Sequence, residues 1–199
     1  MFPSSIKKLI SELSKLPEIG PRAATRLVLH LLNRDQSELD NLSSVIKTLK
    51  SETQLCQQCF NLTEKDQNFC PICQDLKRDR QTVCLVENVL NIIPLEKTGY
   101  YHGLYHVLGG LISPGNGAGP EKLKIKELIE RLKVAEPKIA EVIFALSPTT
   151  EGDTTTLYIE RLLRPFKIKT SRLGRGLSVG SDLEYIDENT LTNALLSRK

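Results

Sequence analysis

Four of the five cysteines fall inside eighteen residues, as Cys56-x-x-Cys59, ten intervening residues, and Cys70-x-x-Cys73. Two thiolates three positions apart can grip one ion from a single tight turn. Two such turns therefore supply four ligands and close a tetrahedral Zn²⁺ shell, leaving no position for water. A closed shell is a structural site and not a catalytic one. The spacer is shorter than the commonest zinc-ribbon spacing, but its polar stretch from Asn61 to Asn68 suits a small loop between two knuckles. The alternative is a pair of disulfides or four unrelated thiols. Apart from Leu62, Phe69 and Ile72 this segment has little to bury. Metal binding would have to supply its folding energy, about 10–16 kcal/mol in apparent terms for zinc-finger peptides.

The chain has 199 residues, enough for one domain or two small ones. It shows no signal-peptide pattern, and its longest apolar run, Val142 to Leu146, is far too short to span a bilayer. The expectation is a cytoplasmic protein with no membrane association. A reducing compartment favours thiolates over disulfides and makes the Asn41 and Asn61 sequons irrelevant.

A net charge of +3 says little about a polyanion partner, but its distribution says more. Residues 1–34 carry six Lys or Arg against Glu12 and Glu18, and residues 161–175 carry Arg161, Arg164, Lys167, Lys169, Arg172 and Arg175 with no acid. The tail then turns acidic with Asp182, Glu184, Asp187 and Glu188. Such alternation suits a polyanion-binding face plus contacts between subunits, with a solvated surface as the plain alternative.

Ile6, Leu9, Ile10, Leu13 and Leu16 recur at helical spacing and must stop before Pro17. Pro21 suits the first position of a second helix, with Ala24, Leu27, Val28, Leu31 and Leu32 as its apolar stripe. A third helix is expected over about Gln36 to Lys50, with Leu39, Leu42, Ile46 and Leu49 facing inward. Beyond Arg80 the pattern changes. Val83 to Glu87, Tyr105 to Gly109 and Glu141 to Ala145 read as buried strands. Helical patterns at about Val89 to Ile93, Ile125 to Lys133 and Thr154 to Leu163 alternate with them. Strands alternating with helices imply a parallel sheet covered on both faces. The glycine-rich stretches Gly109 to Pro120 and Gly174 to Gly176 lack the Lys-Ser/Thr of a Walker A loop. The division expected is a helical hairpin domain over 1–54, a four-Cys zinc motif over 55–80, a parallel α/β domain over 81–176, and a strand-helix tail over 177–199.

Between the first two helices, Leu16-Pro-Glu-Ile-Gly-Pro-Arg22 forms a short turn whose helix N-terminus favours a phosphate. Arg22 and Arg26 follow one helical turn apart, on one face, where they can straddle neighbouring phosphates without reading bases. The turn resembles the helix-hairpin-helix core Leu-Pro-Gly-Ile-Gly-Pro-Lys, with Glu18 in place of the first glycine. A second constellation is acidic. Glu87 closes the first strand, and Glu151 and Asp153 are placed in a loop after the strand ending near Ala145, at the carboxyl ends where ligands gather. Three such carboxylates could hold Mg²⁺. Their order resembles the Toprim fold of topoisomerases, primases and some nucleases. His30 reads as core packing, His102 and His106 have no assignable partner, and Cys84 reads as a small core residue.

In chain order the hairpin is followed by the four cysteines, Arg78 to Glu87, Leu108-Gly-Gly-Leu-Ile-Ser-Pro114, Pro148 to Ile159, and Arg175-Gly-Leu-Ser-Val-Gly-Ser-Asp-Leu-Glu-Tyr185. This order resembles the RecR family of bacterial recombination mediators along essentially the whole length. The resemblance implies a non-enzymatic protein of recombinational DNA repair that forms ring-like homotetramers on single-stranded, double-stranded or gapped DNA. It implies work with RecO and RecF in loading RecA at gaps coated by SSB. By position it gives Arg22 and Arg26 to DNA, Cys56, Cys59, Cys70 and Cys73 to one structural Zn²⁺, and Glu87, Glu151 and Asp153 to partner binding. It implies that the tail packs against a neighbouring subunit. The alternatives are a Mg²⁺-dependent Toprim-type nuclease acting through the same three acids, and a purely structural zinc protein.

Overall fold

The computed structural model describes residues 2–198. The chain divides into two compact units, Met1–Glu52 and Thr53–Lys199.

The first unit holds three helices, α1 (Ser4–Leu13), α2 (Pro21–Leu32) and α3 (Gln36–Glu52). Pro21 occupies the first turn of α2, where its missing N–H is no loss. Glu18 takes a left-handed φ of 64° in the turn, the conformation that the missing glycine would adopt freely. A side chain there costs about 1–2 kcal/mol. The interior of this unit is thin, with Ala24 and Val28 its buried apolar residues among those described. Leu39 of α3 is half-buried, but Leu42, Ile46 and Leu49 are 43%, 66% and 62% exposed, so the inward placement read from their spacing does not hold within one chain. Together with Ile6, Leu9 and Leu31, Leu42 and Ile46 line an open apolar groove of about 430 Å³. His30 is not core packing either: it is exposed, and Arg34 Nε lies 3.3 Å from its Nε2.

The second unit begins with a small hairpin, β1 (Thr53–Leu55) against β2 (Leu62–Glu64), followed by the short helix α4 (Pro71–Gln74). A four-stranded parallel sheet follows, in the order β4-β3-β5-β6. Its strands are β3 (Asp79–Val86), β4 (Gly103–Val107), β5 (Glu141–Ala145) and β6 (Lys169–Arg172). The crossovers are α5 (Ile92–Lys97), α6 (Ile125–Val134) and α7 (Thr150–Leu163), and α8 (Glu188–Leu196) lies in the tail. Along central β3 the side chains alternate between faces, as a pleated strand requires. Val83 and Leu85 join Leu128 and Leu132 of α6 and Ile159 and Leu163 of α7 in one core cluster. Cys84 and Val86 join Ile92 of α5, Tyr105 and Val107 in the other, against which Phe60 and Ile72 of the cysteine segment also pack. Cys84 is the small core residue expected of it, and burial pushes its thiol up to about 12. The zinc motif thus forms part of the cover of the sheet's second face.

The fourth strand, β6, does not announce itself in the sequence. Three of its four residues are exposed and two are charged, so as an edge strand it carries no apolar signature. A polar network also ties β3, β4 and α5 together: Arg78 pairs with Glu96, and the Tyr105 hydroxyl donates to Glu96 Oε1 at 2.7 Å. The Arg78 guanidinium holds the Glu96 carboxyl below the usual carboxylate range. Among the described residues no helix is long and apolar enough to cross a membrane.

Candidate metal centre and nucleic-acid interface

Each cysteine pair is set by a local turn. In the first knuckle the Phe60 N–H donates to the Cys56 carbonyl at 3.0 Å, and the Cys56 N–H donates to the Asn61 carbonyl at 2.7 Å. Phe60, at φ 62°, turns the chain sharply after Cys59. In the second, Pro71 starts α4 and the Gln74 N–H donates to the Cys70 carbonyl at 3.1 Å. All four cysteines are buried and free of disulfides, and their four Sγ atoms lie within 4.8 Å of one another. The Cys59 and Cys70 sulfurs are 3.5 Å apart. Zn–S bonds of about 2.3 Å in a tetrahedron put sulfurs about 3.8 Å apart. Four soft donors at this separation fit a structural zinc. Thiols packed so closely push one another's proton affinity apart, Cys56 far down and Cys73 far up. A divalent cation displaces those protons and satisfies all four sulfurs together.

Three contacts fasten the knuckles to the sheet. The Val107 N–H donates to the Cys59 carbonyl at 2.8 Å. Phe60 packs edge-on against His106 at 5.3 Å between ring centroids. Arg131 Nη1 donates to the Tyr105 carbonyl at 2.7 Å and reaches the Gln58 carbonyl at 3.4 Å. His106, without a partner in the sequence reading, is fully buried with its Nε2–H donating to the Lys124 carbonyl at 2.7 Å. Burial pushes its pKa down to about 4, so it stands neutral in the core.

Arg22 and Arg26 lie on α2, both exposed, and among the described residues neither forms an ion pair. The basic run of 161–175 is different. Arg172 pairs with Asp153 at 3.3 Å and with Glu160 at 3.1 Å, Arg175 with Asp153 at 2.5 Å, and Lys169 with Glu141 at 3.1 Å. Half of that run is therefore spent inside the fold, leaving Arg161, Arg164 and Lys167 for solvent or a partner.

Of the three acids, Glu87 follows β3 and accepts from the Ser147 hydroxyl at 3.1 Å. Glu151 and Asp153 are not in a loop. They sit in the first turn of α7, which Thr149 caps by accepting from the Gly152 N–H at 3.2 Å. Acids at a helix N-terminus are stabilised there without any partner. Gly152 permits the turn: a Cβ on it would stand 1.9 Å from the Ser147 carbonyl oxygen. The Arg175 guanidinium holds Asp153 below the usual carboxylate range. Among the described residues the four cysteines are the one group of His, Cys, Asp or Glu whose ligand atoms gather closely enough for a single ion, so the three acids do not converge as a ligand set.

Fold and site define a Toprim-type parallel α/β protein with a four-cysteine zinc motif seated on its sheet and a helix-hairpin-helix unit at its N-terminus. Family models agree segment by segment: the RecR helix-hairpin-helix over residues 6–50, the RecR four-cysteine zinc finger domain over 53–75, the Toprim domain over 81–174, and the RecR C-terminal segment over 176–199. Three relatives, each named Recombination protein RecR, match along their length. They are those of Synechococcus elongatus (47% identical over 100% of this chain and 98% of the relative), Amoebophilus asiaticus (46%, over 97% and 94%) and Chloroherpeton thalassium (45%, over 98% and 96%). The chain belongs to the RecR family of recombination proteins.

Proposed function

We propose that this chain is a non-enzymatic DNA-binding clamp and adaptor of recombinational repair in the bacterial cytoplasm. It assembles as a homotetrameric ring, works with RecO and RecF, and helps load RecA onto gaps coated by SSB. The observation that carries the reading is the pair Arg22 and Arg26, one turn apart at the start of α2, exposed and, among the described residues, without acidic partners. Phosphate contacts from several copies add up to useful affinity where one copy alone binds weakly. Assembly is supported by the apolar groove of the first unit and by Val45, Ile46 and Leu49, each more than half exposed. The tail adds Val179, Leu183, Leu195 and Leu196, all exposed in the single chain, which a neighbouring copy would cover. In this division residues 1–54 contact DNA, 55–80 bind zinc, 81–176 form the Toprim-like domain and 177–199 join copies.

Glu87, Glu151 and Asp153 serve partner binding in this reading. The ion pairs of Asp153 with Arg172 and Arg175 support that role over metal-assisted cleavage, which needs carboxylates free to hold Mg²⁺ and activate water. Incubating supercoiled plasmid and gapped DNA with the protein and Mg²⁺ or Mn²⁺ tests the point. Intact DNA is expected; cleavage that disappears in Glu87→Gln would establish the nuclease instead.

A further inference from the structure

Arg131 is 9% exposed, yet among the described residues no carboxylate pairs with it. Its Nη1 is used by the Tyr105 and Gln58 carbonyls, and its Nη2 is buried with no hydrogen-bond partner. Glu127, one turn earlier on α6, is taken by Lys124 at 2.9 Å. The nearest buried histidine, His106, is neutral and offers no charge. An isolated guanidinium in such a place is strongly destabilising unless an opposite charge compensates it. That charge is on the other wall. Arg131 and Cys73 line the same groove, and Gln58, whose carbonyl Arg131 holds, stands between Cys56 and Cys59. Burial pushes the Arg131 pKa down, as it does for any cation cut off from water. Four thiolates around one Zn²⁺ carry a net charge of about −2, at buried sulfurs where water and salt screen it much less than at the surface.

We infer that Arg131 is a counter-charge of the zinc tetrathiolate, beside Arg80, whose Nη2 donates to the Cys73 carbonyl at 3.3 Å: a positioning residue that holds the first cysteine knuckle on β4 and offsets the negative charge of the loaded site. Groups one shell out from a metal typically change its affinity by about 10–100-fold when removed. The full chain, stripped and reloaded with Co²⁺, reports affinity through its thiolate-to-cobalt absorption, and zinc competition gives the value for the native metal. R131Q keeps a hydrogen-bond donor but loses the charge, and its zinc affinity should fall by about 10–100-fold. R131K keeps the charge and should stay close to the parent, and both should keep the tetrahedral cobalt spectrum, since all four ligands remain. Parent-like affinity in R131Q would overturn the assignment, as would a loss in R131K equal to that in R131Q. Should R131Q fail to fold, R131K decides by itself: parent-like affinity upholds the counter-charge and a tenfold loss refutes it.

Discussion

Removing zinc is expected to unfold far more than a loop. Without the ion, the cluster formed by Cys56, Cys59, Cys70 and Cys73 has, among the described residues, Ile72 as its one partly buried apolar neighbour. The hairpin of β1 and β2 pairs three residues with three, which is marginal in water on its own. Zinc binding worth about 10–16 kcal/mol compares with about 5–15 kcal/mol for the whole stability of a typical domain. The loss also spreads, because Phe60 and Ile72 cover the sheet face formed by Cys84, Val86, Tyr105 and Val107. Thermal unfolding followed by circular dichroism, with and without a strong chelator, should show the melting temperature of the sheet falling by more than about 10 °C, since each kcal/mol is worth about 2–4 °C at this size. Cys70→Ser should do the same without chelator. An unchanged melting curve would mean that the sheet carries itself and the metal only decorates it.

The second large effect concerns DNA. On the proposed DNA-binding role, replacing Arg22 and Arg26 by Ala removes two phosphate contacts per copy, each worth about 1.5–3 kcal/mol as a charge-assisted hydrogen bond. The double variant should therefore bind gapped DNA at least roughly 100-fold more weakly. The loss should be the same on unrelated sequences, because phosphate contacts carry no sequence information. The dependence of log K on log salt should flatten by about 0.9 per lost duplex contact and about 0.7 per single-strand contact. Fluorescence anisotropy over a salt series measures both quantities. Unchanged affinity with unchanged slope would move the interface off α2, with Arg161, Arg164 and Lys167, the residues of the second basic run that form no ion pair among the described residues, next to be replaced.

What the sequence disclosed follows from where the information resides. The cysteine ligands are legible because each pair is fixed by its own turn, and β5 because Glu141–Ala145 is apolar enough to be buried whatever surrounds it. Glu151 and Asp153 read as loop because Thr150-Glu-Gly-Asp-Thr-Thr-Thr156 is a poor helix former. The helix starts there through its Thr149 cap and the close seat of Gly152 on Ser147, local contacts that residue propensity alone does not register. Arg131, in the last turn of α6, looks like a solvated cation complementing the helix dipole. Its burial depends on a cysteine knuckle more than seventy positions earlier in the chain. The apolar stripe of α3 was legible as a stripe, whereas what covers Ile46 and Leu49 is not decided inside one chain.

The central claim, a clamp that works by assembly and not by chemistry, is tested most directly by size-exclusion chromatography with light scattering, run with and without gapped DNA. The account predicts a particle four times the 22.3 kDa of one chain that co-elutes with the DNA. A particle of 22.3 kDa at every concentration, eluting apart from the DNA, would contradict it.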